Sequence, residues 1–228
     1  MNYTQDESYY ILDASENSCV YIGLKDGVDK DEMEAALREA QIGGKPFEAE
    51  KYINRIHVKK HDHILIPAGT IHCYGADTMV LEVSATPYIF TFKLWGWGRI
   101  GLDGLPRPIH IDHGMKNIQF SRTTKCVKEN IIDAFRIEYE DEDLLVERTG
   151  LHHLEFIETL RYKSLKPFEV IQKNGVHVLN LVNGKSATIE SLDGSFEPFE
   201  VHYGETFILT ALPGRAQEVL PFFSSMHP

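Results

Sequence analysis

The sequence contains few cysteines. Its 228 residues include three, Cys19, Cys73 and Cys126, which are far apart and form no Cys-x-x-Cys pair. An odd number of widely spaced cysteines argues against a disulfide framework and against a zinc knuckle. The three are therefore predicted to be free thiols of a cytosolic protein.

Long apolar runs are also absent. No stretch of the chain approaches the ~18 apolar residues that a membrane helix needs. The first residues, MNYTQDES, are polar and are not typical of a signal peptide. We therefore expect a cytoplasmic protein with no membrane partner.

Positive charge is scarce. The chain has 23 Lys and Arg residues against 34 Asp and Glu residues, a formal net charge of −11. This imbalance argues against nucleic acid and anionic membranes as partners. A small anionic substrate stays possible, provided that Lys and Arg residues cluster locally. The hydrophobic content of 43% is that of an ordinary globular protein, and the length predicts one or two domains.

Short β patterns dominate the sequence. The segments Tyr9–Leu12 and Cys19–Leu24 flank a polar turn and predict a hairpin. Asn-Gly and Asp-Gly pairs at 174–175, 183–184 and 193–194 indicate further hairpins. Other strands are predicted at 55–58, 64–66, 79–83, 88–94, 156–162, 176–182, 187–190 and 206–209. So many short strands favour a β-sandwich or barrel over a parallel α/β sheet.

One helix is predicted with clear ends. Asp29 can cap it, and Glu32 lies three residues later, as in a capping box, ahead of the helix-forming run Met33–Ala40. A Gly-Gly-Lys-Pro sequence ends it. The acidic run Glu138–Asp143 is interpreted as a solvated loop or strand end without a functional role.

The sequence Pro67-Ala-Gly69-Thr-Ile-His72 follows a short apolar strand. Proline ends strand pairing and glycine permits a tight turn, so His72 emerges at a defined place. An imidazole placed there can bind a metal or transfer protons, or it can simply be a satisfied histidine at a strand end. Gly204–Thr210 repeats the strand-and-turn pattern without proline or histidine. We predict two β-barrel units, residues 1–125 and 146–228, joined by an acidic connection at 126–145.

Several of these segments carry a specific resemblance. The stretch from His61 to His72 resembles the second motif of cupin barrels, with His61 where glycine is usual. In order along residues 7 to 120, the chain resembles the class I mannose-6-phosphate isomerases, and residues 146 to 212 resemble the C-terminal barrel of longer members. The resembling segments begin at Glu7-Ser-Tyr-Tyr, Leu24-Lys-Asp-Gly, Pro67-Ala-Gly-Thr, Trp97-Gly-Arg and Gly104-Leu-Pro-Arg. The resemblance implies an all-β-dominated fold of two cupin-like barrels with a short helical insertion near residues 29–42. It also implies that the chain corresponds to the C-terminal portion of such a protein.

The resemblance implies a zinc-assisted interconversion of mannose 6-phosphate and fructose 6-phosphate. Glu7 and His72 match two of the family's zinc ligands, whereas its Gln-x-His pair has no counterpart in this chain. A catalytic zinc usually takes three protein ligands, so we expect zinc to be weakly bound or absent. His61 and His63 are weaker candidate ligands, and an exposed polar strand start is the alternative for both.

The resemblance also assigns candidate substrate contacts. Arg99 matches the arginine of the family's Trp-Gly-Arg segment and is the candidate for stabilising negative charge, unless it is a surface arginine packed on Trp97. Lys93 and Arg107 are candidate phosphate contacts. Glu82 is a candidate base or a partner of a ligand, with an ordinary paired carboxylate as the alternative.

Two function classes follow. The first is a zinc-dependent sugar-phosphate isomerase. The second is a degenerate or truncated cupin that binds a sugar or sugar phosphate without turnover. In both, the expected partner is a small sugar phosphate, and a homo-oligomer is possible.

Overall fold

The computed structural model describes residues 5–84, 91–149, 159–172, 175–210 and 217–222. These residues divide into two units. The first runs to Phe135 and includes Thr149 and Thr159, and the second comprises the remaining described residues from Arg136. Within the described residues, no helix has the length and apolar character needed to cross a membrane.

The first unit contains short strands and four helices. In chain order its elements are β1 (Glu7–Ala14), β2 (Cys19–Leu24), α1 (Lys30–Gln41), α2 (Ala49–Tyr52), β3 (Ile53–His57), β4 (His63–Ile66), β5 (His72–Tyr74), β6 (Thr78–Ser84), α3 (Ile111–Asn117) and α4 (Thr124–Asn130).

Two three-stranded sheets form the centre of the first unit. Their strand orders are β4-β1-β6 and β3-β2-β5, and the pairings recorded for them are antiparallel. One buried cluster contains side chains from both sheets, including Ile11 of β1, Ile22 of β2 and Ile64 of β4. Burying such aliphatic side chains stabilises the fold by about 1.5–3 kcal/mol each. The two sheets therefore share one hydrophobic core.

The first two strands are present as predicted, but their predicted pairing is wrong. β1 pairs with β4 and β6, whereas β2 pairs with β3 and β5. The polar segment between them connects two sheets instead of closing a hairpin. Local turn chemistry does not distinguish these outcomes, because the choice of partner depends on which apolar faces must be buried together.

The predicted helix is confirmed as α1. The Asp29 side chain accepts a hydrogen bond from the Glu32 backbone N–H at 2.8 Å, which caps the helix. Met33, Leu37 and Ala40 lie on its buried face. The Glu32 carboxylate pairs with Lys51.

The predicted strand 88–94 lies partly outside the described residues. Its described end, residues 91–94, is not in a strand. The acidic run 138–143 is exposed. It includes the last residues of strand β7, whose range is given below, and the turn that follows.

The second unit is built almost wholly from strands. They are β7 (Phe135–Glu140), β8 (Leu144–Thr149), β9 (Leu160–Ser164), β10 (Val170–Gln172), β11 (Val176–Asn180), β12 (Ser186–Ser191), β13 (Phe199–His202), β14 (Thr206–Thr210) and β15 (Gln217–Phe222). They form sheets of order β7-β8-β9, β10-β15-β12-β13 and β11-β14. A small core of apolar residues lies among them, including Ala187, Ile189 and Leu209.

The hairpin predictions in this unit have mixed outcomes. Asp193-Gly194 connects β12 and β13, which pair antiparallel as predicted. Asn183-Gly184 connects β11 and β12, which do not pair with each other. β11 pairs with β14, and β12 pairs with β13 and β15. The pair at 174–175 begins outside the described residues. Taken together, the small antiparallel sheets confirm the predicted all-β, cupin-like fold class.

Gly23 provides a test of the packing between β2 and the α4 region. Its φ is +62°, and a Cβ there would lie 2.7 Å from the Arg122 carbonyl oxygen and 2.5 Å from a Val127 methyl. Gly27 has a similar φ of +76° with nothing within 4 Å. We expect Gly27→Ala to lower the free energy of unfolding by about 1–2 kcal/mol through backbone strain alone. Gly23→Ala should lower the free energy of unfolding by about 1–3 kcal/mol more than Gly27→Ala does, because its Cβ also overpacks the neighbouring atoms.

Chemical denaturation of both variants measures this difference. Equal losses in the two variants would show that the contact with Arg122 and Val127 does not constrain Gly23.

Candidate active site

The inner face of β1 carries polar residues among its apolar ones. Glu7 and Tyr9 lie opposite Ile66 and Ile64 of β4, which are buried. On the other side, Tyr9 lies opposite Glu82 of β6. Because side chains alternate along a strand, these residues share one face of the sheet. Glu7 and Tyr9 are buried on this face, whereas Glu82 on the same face is exposed.

The Pro-x-Gly turn delivers His72 to the same interior. The Thr70 N–H donates to the Pro67 carbonyl at 3.1 Å, and Gly69 adopts a φ of +81°. A Cβ at Gly69 would lie 2.5 Å from the Asn117 carbonyl oxygen, so glycine is required there. His72 then opens β5 opposite Ile22, which is buried. The predicted role of the turn is confirmed.

Glu7 and His72 meet across the two sheets. The Glu7 Oε2 and His72 Nε2 atoms are 3.2 Å apart, and the Glu7 side chain is only 9% exposed. Nδ1 of His72 is 2.8 Å from the Thr70 carbonyl oxygen, and the ring lies edge-on to Tyr9. The two residues come from strands of different sheets. They nevertheless converge within one unit.

The pair is electrostatically coupled. Burial by itself lowers the pKa of His72, but hydrogen bonding to Glu7 and to the Thr70 carbonyl outweighs it, so the pKa is raised. The imidazolium form is therefore favoured beside the Glu7 carboxylate. The two side chains form an ion pair when His72 is protonated. A bound metal cation would have to take the place of that proton.

Glu82 lies on the same face as Glu7 and has a raised pKa. Burial raises its pKa, the neighbouring charge of Glu7 raises it further, and His72 partly offsets both. Burial and the two carboxylates also raise the pKa of Tyr9, which stays a neutral phenol. A carboxylate with a raised pKa in a partly buried site is a candidate for proton transfer.

His61 and His63 lie elsewhere. His63 of β4 lies opposite Tyr10 of β1. It therefore occupies the face of that sheet away from Glu7 and Tyr9. Nδ1 of His61 is 2.8 Å from the Tyr10 hydroxyl. The structure does not bring these two histidines together with the Glu7–His72 pair.

The three predicted cations share one segment, residues 93–110, which we call the cationic hairpin. The His110 N–H donates to the Lys93 carbonyl at 2.7 Å, and the Arg107 N–H donates to the Arg99 carbonyl at 3.2 Å. An isolated bridge between Ile100 and Pro106 continues the same register. Arg99 and Arg107 are therefore directly opposite each other, and both are exposed. Among the described residues, no ion pair is formed by either guanidinium.

The cationic hairpin reaches β5 at Cys73, whose side chain lies on the face of its sheet opposite to His72 because side chains alternate along a strand. Burial raises the pKa of the Cys73 thiol, while hydrogen bonding from the Trp97 side chain and the positive charge of Arg99 partly offset that effect. Arg99 is therefore the cation that lies near Cys73 of β5. Trp97 also lies edge-on to Tyr21 of β2, with ring centroids 5.2 Å apart.

Glu7 and His72 fit two positions of a zinc site. Two ligands at about 2.0–2.2 Å from a tetrahedral zinc lie roughly 3.4 Å from each other, close to the separation of the pair. Within the described part of the chain, no group of three His, Cys, Asp or Glu side chains is placed to hold a metal ion. The described residues therefore supply an incomplete set of ligands.

Sequence reasoning missed the polar neighbours of Glu7. The Gln5 side-chain amide contacts the Glu7 carboxylate and donates to the Ser84 hydroxyl at 3.1 Å. Tyr9 packs against both His72 and Tyr74. The spacing of two residues between Gln5, Glu7 and Tyr9 was the available signal, since it places all three on one side of an extended chain.

Comparisons with known proteins point to one enzyme family. Over 119 residues, the chain is 24% identical to the probable mannose-6-phosphate isomerase GmuF of Bacillus subtilis. The aligned segment covers 52% of this chain and 35% of that protein. Mannose-6-phosphate isomerase ManA of the same organism is 23% identical over 113 residues, which make up 50% of this chain and 33% of that protein. No family model matches the chain.

Solved structures show the same fold. The crystal structure of the Bacillus subtilis mannose 6-phosphate isomerase matches with a TM-score of 0.71 at 16% identity, covering 96% of this chain and 62% of that one. A variant of phosphomannose isomerase from Salmonella typhimurium matches with a TM-score of 0.53 at 12% identity, covering 97% of this chain and 66% of that one. These similarities support the mannose-6-phosphate isomerase family and show its cupin-like fold. The sequence matches span about half of this chain and a smaller share of the relatives.

The Glu7–His72 pair makes stability depend on pH. Because the folded-state pKa of His72 is raised above its ordinary value, the pair's contribution is complete below that ordinary value and is lost as pH rises through the folded-state pKa. We expect His72→Gln to destabilise the protein more at about pH 5.5 than at about pH 9. Urea denaturation at both pH values measures the difference.

His202→Gln is the matched control. His202 lies 3.3 Å from Glu205, but both side chains are more than half exposed. Solvent screens such pairs, so this substitution should have a small effect at either pH. A loss for His72→Gln that is independent of pH would contradict the ion pair.

Proposed function

We propose that the protein acts on a hexose 6-phosphate and carries out the interconversion of mannose 6-phosphate and fructose 6-phosphate. The observation that carries this proposal is the convergence of Glu7 and His72 at 3.2 Å inside a cupin-like unit, with Glu82 on the same face as Glu7. The named relatives support the choice of reaction.

Aldose–ketose interconversion moves a proton between C1 and C2 of the sugar. It requires a base within reach of the carbon and electrophilic help at the sugar oxygens. Glu82 is the proposed base, because it lies on the same face as Glu7 and its raised pKa makes it a stronger base than an ordinary carboxylate. It lies opposite Tyr9 on the face that also carries Glu7, and its exposure leaves it accessible to a substrate.

A zinc ion is the proposed cofactor, held by Glu7 and His72 together with ligands beyond those that the described residues supply. When bound, zinc acts as a Lewis acid toward the sugar oxygens. Binding it requires His72 to lose its proton, so the raised pKa of His72 opposes metal binding at low pH. The chain by itself should hold zinc weakly.

The cationic hairpin is the proposed phosphate site. Arg99 and Arg107 lie opposite each other beside an isolated bridge, and an anion between the two guanidiniums would offset their repulsion. A guanidinium can hold a phosphate through two parallel hydrogen bonds. This supports assigning the substrate's phosphate to the pair, with Lys93 on the same segment, and the sugar would have to extend around the edge strand β5 to reach the face that carries His72.

A second candidate function is binding of a sugar phosphate without turnover. The incomplete ligand set of the described residues favours it. In that case the hairpin cations and the interior carboxylates would hold the ligand, but nothing would polarise its oxygens in a fixed geometry.

Glu82→Gln tests the isomerase proposal. Fructose 6-phosphate formation from mannose 6-phosphate, with and without added zinc, measures turnover, and calorimetry measures substrate binding. We expect weak, zinc-dependent turnover whose kcat falls about 100-fold or more in Glu82→Gln, with binding unchanged, because only proton transfer is removed. The exposed Glu16→Gln is the control.

The outcomes separate the two functions. Binding without measurable turnover, even at high zinc, would support the second candidate. Turnover that is insensitive both to a chelator and to Glu82→Gln would contradict the proposed site.

Arg107→Gln tests the phosphate site. Removing one of two opposed guanidiniums should leave stability unchanged or raise it by up to ~1 kcal/mol, while it weakens binding of inorganic phosphate and mannose 6-phosphate. Arg99→Ala should weaken binding similarly, and Lys60→Ala much less. Thermal unfolding and calorimetry give the two readouts. A loss of stability without a loss of binding would show that the arginines have a structural role only.

A further inference from the structure

Trp97 has an unusual backbone. Its φ is +57° and that of the next residue, Gly98, is +64°. Bulky residues rarely adopt this left-handed conformation, which glycine or asparagine adopts more easily. The Arg99 N–H donates to the Gly96 carbonyl at 3.2 Å and closes the turn around Trp97. The chain therefore keeps a large aromatic side chain where its own backbone would prefer a small one.

The Trp97 ring is fixed in place but not covered. It lies edge-on to Tyr21 at 5.2 Å with an angle of 61° between the rings, and its side chain is close enough to the Cys73 thiol to lower the pKa of that thiol. Tyr21 and Cys73 are directly opposite each other on β2 and β5, and the Tyr21 hydroxyl donates to Glu50 at 3.1 Å. Even so, Trp97 is 49% exposed. A ring held by two strands and left half open is oriented for a ligand at low entropic cost.

The surroundings of Trp97 indicate the ligand's chemistry. Arg99 follows it by two residues and is opposite Arg107, so an aromatic surface adjoins a pair of cations. Cys73 follows His72 on β5, at the edge of its sheet, and alternation along the strand places the Trp97 ring on the face away from His72. A ligand at this edge with an apolar ring face and an anionic group matches both features.

We propose that Trp97, supported by Tyr21, is a stacking platform for the sugar ring of a hexose phosphate whose phosphate lies between Arg99 and Arg107. A hexopyranose presents C–H groups on its ring faces and hydroxyl groups at its edges, which suits an exposed indole bordered by charged residues. Trp97 is thus a positioning residue that selects a sugar phosphate over a bare anion. The inference rests on the proposed function for the choice of sugar, but it concerns binding and not turnover.

Fluorescence provides a direct binding assay, because the chain has only two tryptophans, Trp95 and Trp97. In a Trp95→Phe background the emission comes from Trp97 alone. We expect mannose 6-phosphate to change this emission saturably. Unphosphorylated mannose should require much higher concentrations, and inorganic phosphate should bind with a smaller change, since it offers no ring to stack.

Substitutions at Trp97 in the otherwise natural chain separate stacking from folding. Trp97→Asn suits the left-handed backbone and removes the ring, so the midpoint of thermal unfolding should change little. Calorimetric affinity for mannose 6-phosphate should fall about 3- to 10-fold, whereas affinity for inorganic phosphate should stay the same. Trp97→Phe should restore most of the affinity. Leu102→Ala, at a fully exposed position of the same hairpin, is the control and should change neither.

Each outcome bears on one claim. Loss of stability in Trp97→Asn with unchanged affinity for mannose 6-phosphate would overturn the platform and leave Trp97 as a packing residue. An equal loss of affinity for phosphate and mannose 6-phosphate would also overturn it, because the ring would then act only through Arg99. Sugar phosphate binding that depends on Trp97 in a protein without turnover would uphold the platform while the isomerase proposal fails.

Discussion

The alternation of side chains along β1 is the constraint on which the rest of the first unit depends. β1 lies between β4 and β6, and its inward residues are Glu7, Tyr9 and Ile11. Ile11 anchors the hydrophobic core, and the same alternation places Glu7 and Tyr9 toward His72. A slip of one residue in the register would expose Ile11 and remove Glu7 from the site together. Folding energy and site geometry are therefore determined by the same pairing.

The site combines two carboxylates with one histidine in a partly buried space. Glu7 is buried and His72 is largely covered, so their charges act on each other and on the neighbouring, exposed Glu82. The histidine is pushed toward its charged form, and Glu82 toward its neutral form. Both pKa values are raised, so both groups hold a proton more firmly; in the proposed site zinc would replace the proton of His72, while Glu82 would transfer its own. This is the physical basis for assigning them different roles.

The cationic hairpin contributes the opposite kind of chemistry. It concentrates positive charge at Arg99 and Arg107 in a chain whose net charge is −11. Opposed guanidiniums and a left-handed tryptophan both cost conformational or electrostatic energy. Neither feature stabilises the folded chain by itself, whereas a ligand with an anionic group and an apolar ring face explains both.

The local elements follow from short-range signals in the sequence. The cap at Asp29, the strand that ends at Pro67, and the turn that places His72 follow from the intrinsic preferences of a few residues, and the motifs sufficed to identify the cupin-like fold. Tertiary structure decided which strands pair and which residues meet. β1 and β2 join different sheets, His61 and His63 face away from Glu7, and Tyr9, Gln5 and Glu82 enter the site through strand register. The physical reason is that turn and helix signals act over a few residues, whereas strand pairing is chosen by the burial of apolar faces from distant parts of the chain.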